Sequence, residues 1–90
     1  MAIAAIIVRI MPLSPETNLD LIKSESEKRL KQNGAQNITF EEQSIAFGLK
    51  ALMIKFAWPE EKDTDIVENI LSEIEGVSSA SIEDYRRAFG

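Results

Sequence analysis

Neither cysteine nor histidine occurs anywhere in the 90-residue sequence. Their absence excludes disulfides, thiolate nucleophiles, Cys/His zinc sites and imidazole acid–base chemistry; carboxylate chemistry stays open, but the enzymatic possibilities narrow sharply. Positive charge is short as well: 10 Lys and Arg face 15 Asp and Glu, a net charge of -5. General nucleic-acid binding draws its affinity from basic side chains on phosphates, so this balance argues against it. An acidic surface instead accelerates encounter with a basic partner. The four glycines, Gly34, Gly48, Gly76 and Gly90, are isolated, whereas a phosphate-binding loop gathers several before a helix. No apolar run approaches the roughly 20 residues that span a bilayer. The opening Met1–Val8 is apolar but lacks a basic leader, and Arg9 interrupts it, so it reads as a buried strand rather than an export signal. The expectation is a cytoplasmic, membrane-free chain with no cofactor, folded as a single domain over 1–90.

What is present alternates between strand and helix patterns. Residues 3–11 are rich in Ile and Val, and with Arg9 toward solvent, Ile6, Val8 and Ile10 share a buried face. Pro12, Ser14 and Pro15 then make a turn. Thr17 is the expected N-cap of a helix over 18–32, with Leu19, Ile22, Ser26 and Leu30 on one face and Gly34 closing it. Residues 36–42 alternate as a half-exposed strand, the chain reverses over 43–48, and residues 49–58 form a second apolar strand. In that strand Leu52, Ile54 and Phe56 face one way and Ala51, Met53, Lys55 and Ala57 the other. Asp63 or Thr64 caps a second helix running to about Glu75, Gly76 follows it, and a more polar edge strand over 77–87 closes the domain.

The order β-α-β-β-α-β with right-handed crossovers predicts an α+β, ferredoxin-like sandwich. Its four-stranded antiparallel sheet carries both helices on one face, with the first and third strands central. That fold serves many functions, so the residues must discriminate. An RNA-recognition domain stacks bases on aromatics of the open sheet face, but Ala5, Ile7, Arg9, Ala51, Met53 and Lys55 include none. A Cys-x-x-Cys metal carrier is excluded outright. The acidic pairs Glu41-Glu42 and Glu60-Glu61, with Asp63 and Asp65, read as a solvated strand end and a helix N-terminus favourable to negative charge.

One segment is unusual. In Ser44-Ile45-Ala46-Phe47-Gly48-Leu49-Lys50-Ala51-Leu52 a large aromatic followed by glycine sits where the chain reverses. Phe47 either plugs the end of the core or projects outward, and Gly48 would let a partner's backbone approach closely. The tripeptide Ala-Phe-Gly occurs again at 88–90, which carries no evident meaning.

The stretch Ile45–Leu52 resembles the corresponding part of the elongation factor 1-beta family, particularly its short archaeal form. The apolar first strand ending in Met11-Pro12, then Ser14-Pro15, Ile74-Glu75-Gly76-Val77 and Arg86-Arg87 fit the same family in order and spacing. The resemblance implies a guanine-nucleotide exchange domain that promotes GDP release from the GTPase elongation factor 1-alpha. It implies no enzyme chemistry, and we expect a monomer with no direct nucleic-acid contact. The family's aromatic contact with the GTPase maps onto Phe47, with Gly48 and Lys50 beside it. Eukaryotic members carry a C-terminal Lys directed at the magnesium and switch region. Here that position offers only Arg86 and Arg87, and a guanidinium is not interchangeable with an ammonium. The competing expectation is a small-molecule-sensing regulatory domain of the same fold, dimerising through its sheet edges.

Overall fold

The computed structural model describes residues 2–88. Strand β1 (Ile3–Pro12) leads through a turn to α1 (Leu19–Gln32), then β2 (Gln36–Ser44), a short 3-10 turn (Ala46–Gly48), β3 (Lys50–Pro59), α2 (Asp65–Ser72) and β4 (Val77–Ala88). The four strands form one antiparallel sheet in the order β2-β3-β1-β4, the α+β ferredoxin-like arrangement expected from the sequence. The most apolar strands are central because both their neighbours and the helices must cover them.

Period two holds through the central pair. Ile6, Val8 and Ile10 on β1 and Leu52, Ile54, Phe56 and Trp58 on β3 are buried beneath the helices. Ile22 and Leu30 of α1, Val67 and Leu71 of α2, and Ile74 and Val77 complete this core. Ala51 departs from the expected exposure. It belongs by alternation to the open face yet is buried, its methyl group too short to rise above the longer side chains around it.

Helix caps differ from expectation in detail. Asn18, not Thr17, caps α1: its Oδ1 accepts from the N–H of Asp20 at 3.0 Å and of Leu21 at 3.4 Å. Thr17 closes the preceding turn instead, its Oγ1 accepting from the Ser14 N–H at 3.1 Å. At α2, Thr64 occupies the cap position without a side-chain bond, while Asp63 Oδ1 accepts from the Asp65 N–H at 2.9 Å. That helix stops at Ser72 rather than near Glu75. The Ile74 N–H bonds back to Leu71 and that of Val77 to Ile74, a tightened exit before Gly76 at φ 94°. β2 runs two residues past its expected end, and a bulge at its start places Asn37 at φ 56°.

The two ends of the sheet are built differently. At the end where β1 begins, Trp58 is fully buried, edge-on to Phe56 with centroids 6.0 Å apart. Its Nε1 donates to the Lys62 carbonyl at 3.3 Å. Lys62 Nζ lies 5.6 Å from the indole centroid and donates to the Asn33 carbonyl, capping the negative end of α1. At the other end, where β1 finishes, the loops over 12–18 and 41–50 bury nothing larger than Pro12, while the α2–β4 connection contributes Ile74 to the core.

Candidate functional site: an aromatic on a left-handed turn

The β2–β3 connection is closed by two backbone bonds: the Ile45 N–H donates to the Leu49 carbonyl at 2.8 Å and the Leu49 N–H to the Ala46 carbonyl at 3.3 Å. Between them Phe47 has φ 62°, ψ 31°, and Gly48 has φ 77°. Two consecutive left-handed residues are the arrangement of a type I′ turn, whose hand suits the twist of a hairpin and whose usual residues are Asn, Asp and Gly. A β-carbon in that region crowds the following carbonyl and costs roughly 1–2 kcal/mol. Within the chain itself only its φ calls for glycine at 48, since an added Cβ would meet nothing within 4 Å.

Phe47 is 94% exposed. Of the two readings the sequence left open, core plug and projecting side chain, the structure selects the second. The free protein gains nothing from this residue: its ring is in water and its backbone is strained. Such outliers persist where function requires the geometry.

Between the Phe47 turn and the first turn of α1 lies an open hollow of about 320 Å3, bordered by Pro12, Ser14, Asn18, Asp20, Glu42, Gly48 and Lys50. Lys50 is half in solvent, its Nζ 3.9 Å from Glu42 Oε1. Glu42 Oε2 accepts from Lys23 Nζ at 2.9 Å. That hydrogen bond, reinforced by the charge of Lys23, holds the Glu42 carboxyl below the ordinary glutamate value. The same bond holds the Lys23 ammonium above the ordinary lysine value.

Sequence reasoning missed two exposed leucines outside this hollow. Leu13 and Leu21 are each 68% exposed, Leu13 at the finish of β1 and Leu21 in the opening of α1. Leu13 is pinned by its N–H, which donates to the Gly76 carbonyl at 2.9 Å. The sign available in the sequence was that neither fits its element's buried pattern: Leu13 falls between Pro12 and Ser14, and Leu21 lies off the Ile22–Ser26–Leu30 stripe.

Phe47, Gly48 and Lys50 therefore come together, but Arg86 and Arg87 do not join them. Register places Arg86 opposite Ala5 and Arg87 opposite Ala4, at the start of β1, whereas the Phe47 turn lies beyond the Pro12 end. The seven steps from Ala5 to Pro12 span about 23 Å at about 3.3 Å per residue. Arg86 Nε pairs with Asp84 Oδ2 at 2.9 Å and Arg87 Nε with Glu60 Oε1 at 3.0 Å, both side chains otherwise exposed. Phe89 and Gly90, in the second Ala-Phe-Gly, lie outside the described residues. Among the described residues no three acidic side chains gather as a cation site, and no helix is long and apolar enough to cross a membrane.

The domain is thus ferredoxin-like, with an exposed aromatic on left-handed backbone at one end of its sheet and exposed arginines at the other. Residues 5–88 match the model of the EF-1 guanine nucleotide exchange domain. Elongation factor 1-beta of Desulfurococcus amylolyticus is 36% identical over 89 residues, covering 97% of this chain and 98% of the relative. The protein of the same name from Methanothermobacter thermautotrophicus is 37% identical over 81 residues, 89% of this chain and 90% of the relative. That of Sulfolobus acidocaldarius is 38% identical over 84 residues, 91% and 92% of the two chains. The chain belongs to the EF-1 guanine nucleotide exchange domain family.

Proposed function

We propose that this protein is the guanine-nucleotide exchange factor for elongation factor 1-alpha in translation elongation, working as a monomer in the cytoplasm and without chemistry of its own. It binds the nucleotide-poor form of the GTPase more tightly than the GDP-bound form, and that difference in affinity is what loosens GDP so that GTP can rebind. The observation that carries this reading is Phe47, fully presented on a strained turn. An aromatic anchor seated in a partner's pocket concentrates binding energy, and Gly48 beside it leaves room for close approach. Lys50 adds a cation at the edge of the same contact.

Arg86 and Arg87 form a second contact in this scheme. The domain is elongated, 41 Å by about 20 Å in its other directions, so one GTPase surface can be touched at both ends. The first end supplies affinity; the second brings positive charge toward the magnesium and switch region of the GTPase, where it weakens the hold on the nucleotide. The test is release of a fluorescent GDP analogue from the cognate GTPase, followed in stopped flow. Micromolar protein should accelerate release many-fold, and a flat response at saturating GTPase would rule the proposal out.

A further inference from the structure

From Glu41 to Lys50 no side chain of the β2–β3 hairpin is buried, Ile45 and Leu49 being covered only in part. Ladder bonds hold the two strands to each other. Leu52, opposite Glu42, is buried and is the last residue of β3 paired with β1, at Ile10; beyond it the ribbon has two strands and twists readily, so its ladder bonds do not fix the tilt of the tip. One side chain near its tip reaches a helix. Glu42 lies on the helix side of β2, and its Oε2 bonds Lys23 of α1 at 2.9 Å. Asp20 Oδ1 stands 3.9 Å from the same Lys23 Nζ, and Lys50 Nζ stands 3.9 Å from Glu42 Oε1. Asp20, Lys23, Glu42 and Lys50 thus alternate in sign from the first turn of α1 to the base of the Phe47 turn.

We infer that Glu42 is a positioning residue for nucleotide exchange: by bonding Lys23 it ties the hairpin to α1 and sets the direction in which Phe47 meets the GTPase. The inference rests on the docking role proposed for Phe47. A side chain presented in fixed orientation loses less entropy on docking than one that must be ordered by the partner. Glu42 then acts on affinity and leaves the loosening of GDP to other residues. The pair is exposed, so its effect is modest, about two- to fivefold.

The experiment compares Glu42→Gln, Lys23→Met and the double variant in the GDP-release assay. The readouts are the concentration giving half-maximal acceleration and the plateau rate, together with NMR hydrogen exchange of the Ile45 and Leu49 amides. Each single variant should raise the half-maximal concentration about two- to fivefold with the plateau unchanged, and the hairpin amides should exchange faster. The double variant should match either single one, since both break the same bond. An unchanged half-maximal concentration, a lowered plateau, or additive effects in the double variant would each overturn the inference, the last because it means the two residues contact the GTPase separately. Absence of any GDP release with the unmodified protein overturns the docking reading instead. The tie is then judged on amide exchange alone, and unaltered Ile45 and Leu49 exchange overturns it.

Discussion

The Trp58 end and the Phe47 end of the sheet carry an aromatic residue each, used in opposite ways. Trp58 is fully buried, edge-on to Phe56, hydrogen-bonded to the Lys62 carbonyl and covered by the Lys62 ammonium. Phe47 is 94% exposed and sits on a backbone conformation that opposes its β-carbon. One residue stabilises the free fold and the other works against it. The difference teaches where this small domain can carry strain: on a hairpin tip whose neighbours contribute little to the core, so that the cost stays local.

The sharpest way to break the comparison is to truncate both rings. Trp58→Ala should cost about 3–5 kcal/mol of unfolding free energy in urea titration, a large share of the total for a chain of this size. Phe47→Ala should leave the urea midpoint within experimental error. It should weaken GTPase engagement by about 30-fold or more, the loss expected of an aromatic anchor. If Phe47→Ala instead melts the domain while Trp58→Ala is tolerated, the two ends have been assigned the wrong way round.

Next in size is the pair Arg86→Ala with Arg87→Ala at the Trp58 end. Their ion pairs with Asp84 and Glu60 are exposed, so removing them should change stability by under about 0.5 kcal/mol. If this end acts on the nucleotide, the plateau of GDP release should fall about tenfold, the scale of one charge-assisted hydrogen bond. The half-maximal concentration should move less than it does in Phe47→Ala. Equal shifts in both quantities for both variants would mean that the two ends do not divide the work.

Smaller still, and opposite in sign, is the effect of relieving the turn. Phe47→Asn puts a residue that tolerates left-handed backbone at φ 62°, and should stabilise the domain by about 1 kcal/mol. In a domain of this length that is a rise in melting temperature of about 4–8 °C. Exchange should be lost as in Phe47→Ala. A variant more stable and less active is the mark of strain kept for binding; a drop in melting temperature would show that Phe47 packs favourably after all.

The sequence made the fold readable because its central strands alternate cleanly and its breakers fall at the ends: Arg9 phases β1, and Pro12 and Pro59 bound β1 and β3. The separation of Arg86 from Phe47 was also implicit, since an antiparallel β4 must finish beside the start of β1. The family resemblance names Phe47 and the C-terminal arginines as separate contacts but carries no distance between them, which the strand register supplies. Other features were not legible. Left-handed backbone at a bulky residue runs against propensity, so nothing in Ala-Phe-Gly distinguishes it from a plug. The choice of Asn18 over Thr17 as cap depended on the Ser14 N–H competing for the threonine hydroxyl. The Lys23–Glu42 bond joins residues nineteen apart and needs the helix docked against the strand before it exists.

The smallest effect is that of pH, and its sign follows from the ion pairs at α1. Glu42, bonded to Lys23, and Glu25, bonded to Arg29, are both held below the ordinary glutamate value of 4.5. A lowered carboxyl stabilises the fold above its unfolded value and loses that contribution as pH falls through the folded one, so both pairs weaken only below 4.5. Lys23, raised above 10.5 by its bond to Glu42, contributes fully below that value and is lost as pH climbs through its folded one. With no histidine in the chain, melting temperature should be flat from about pH 6 to 8, and a step in that range would contradict the assignment. Acid sharpens the contrast between the ends. On lowering pH below 4.5, the amides of Ile45 and Leu49 should lose protection before those paired around Trp58, because the Phe47 hairpin leans on a carboxylate and the other end on a buried indole. Simultaneous loss at both ends would mean that the Glu42 bond does not hold the hairpin separately from the core.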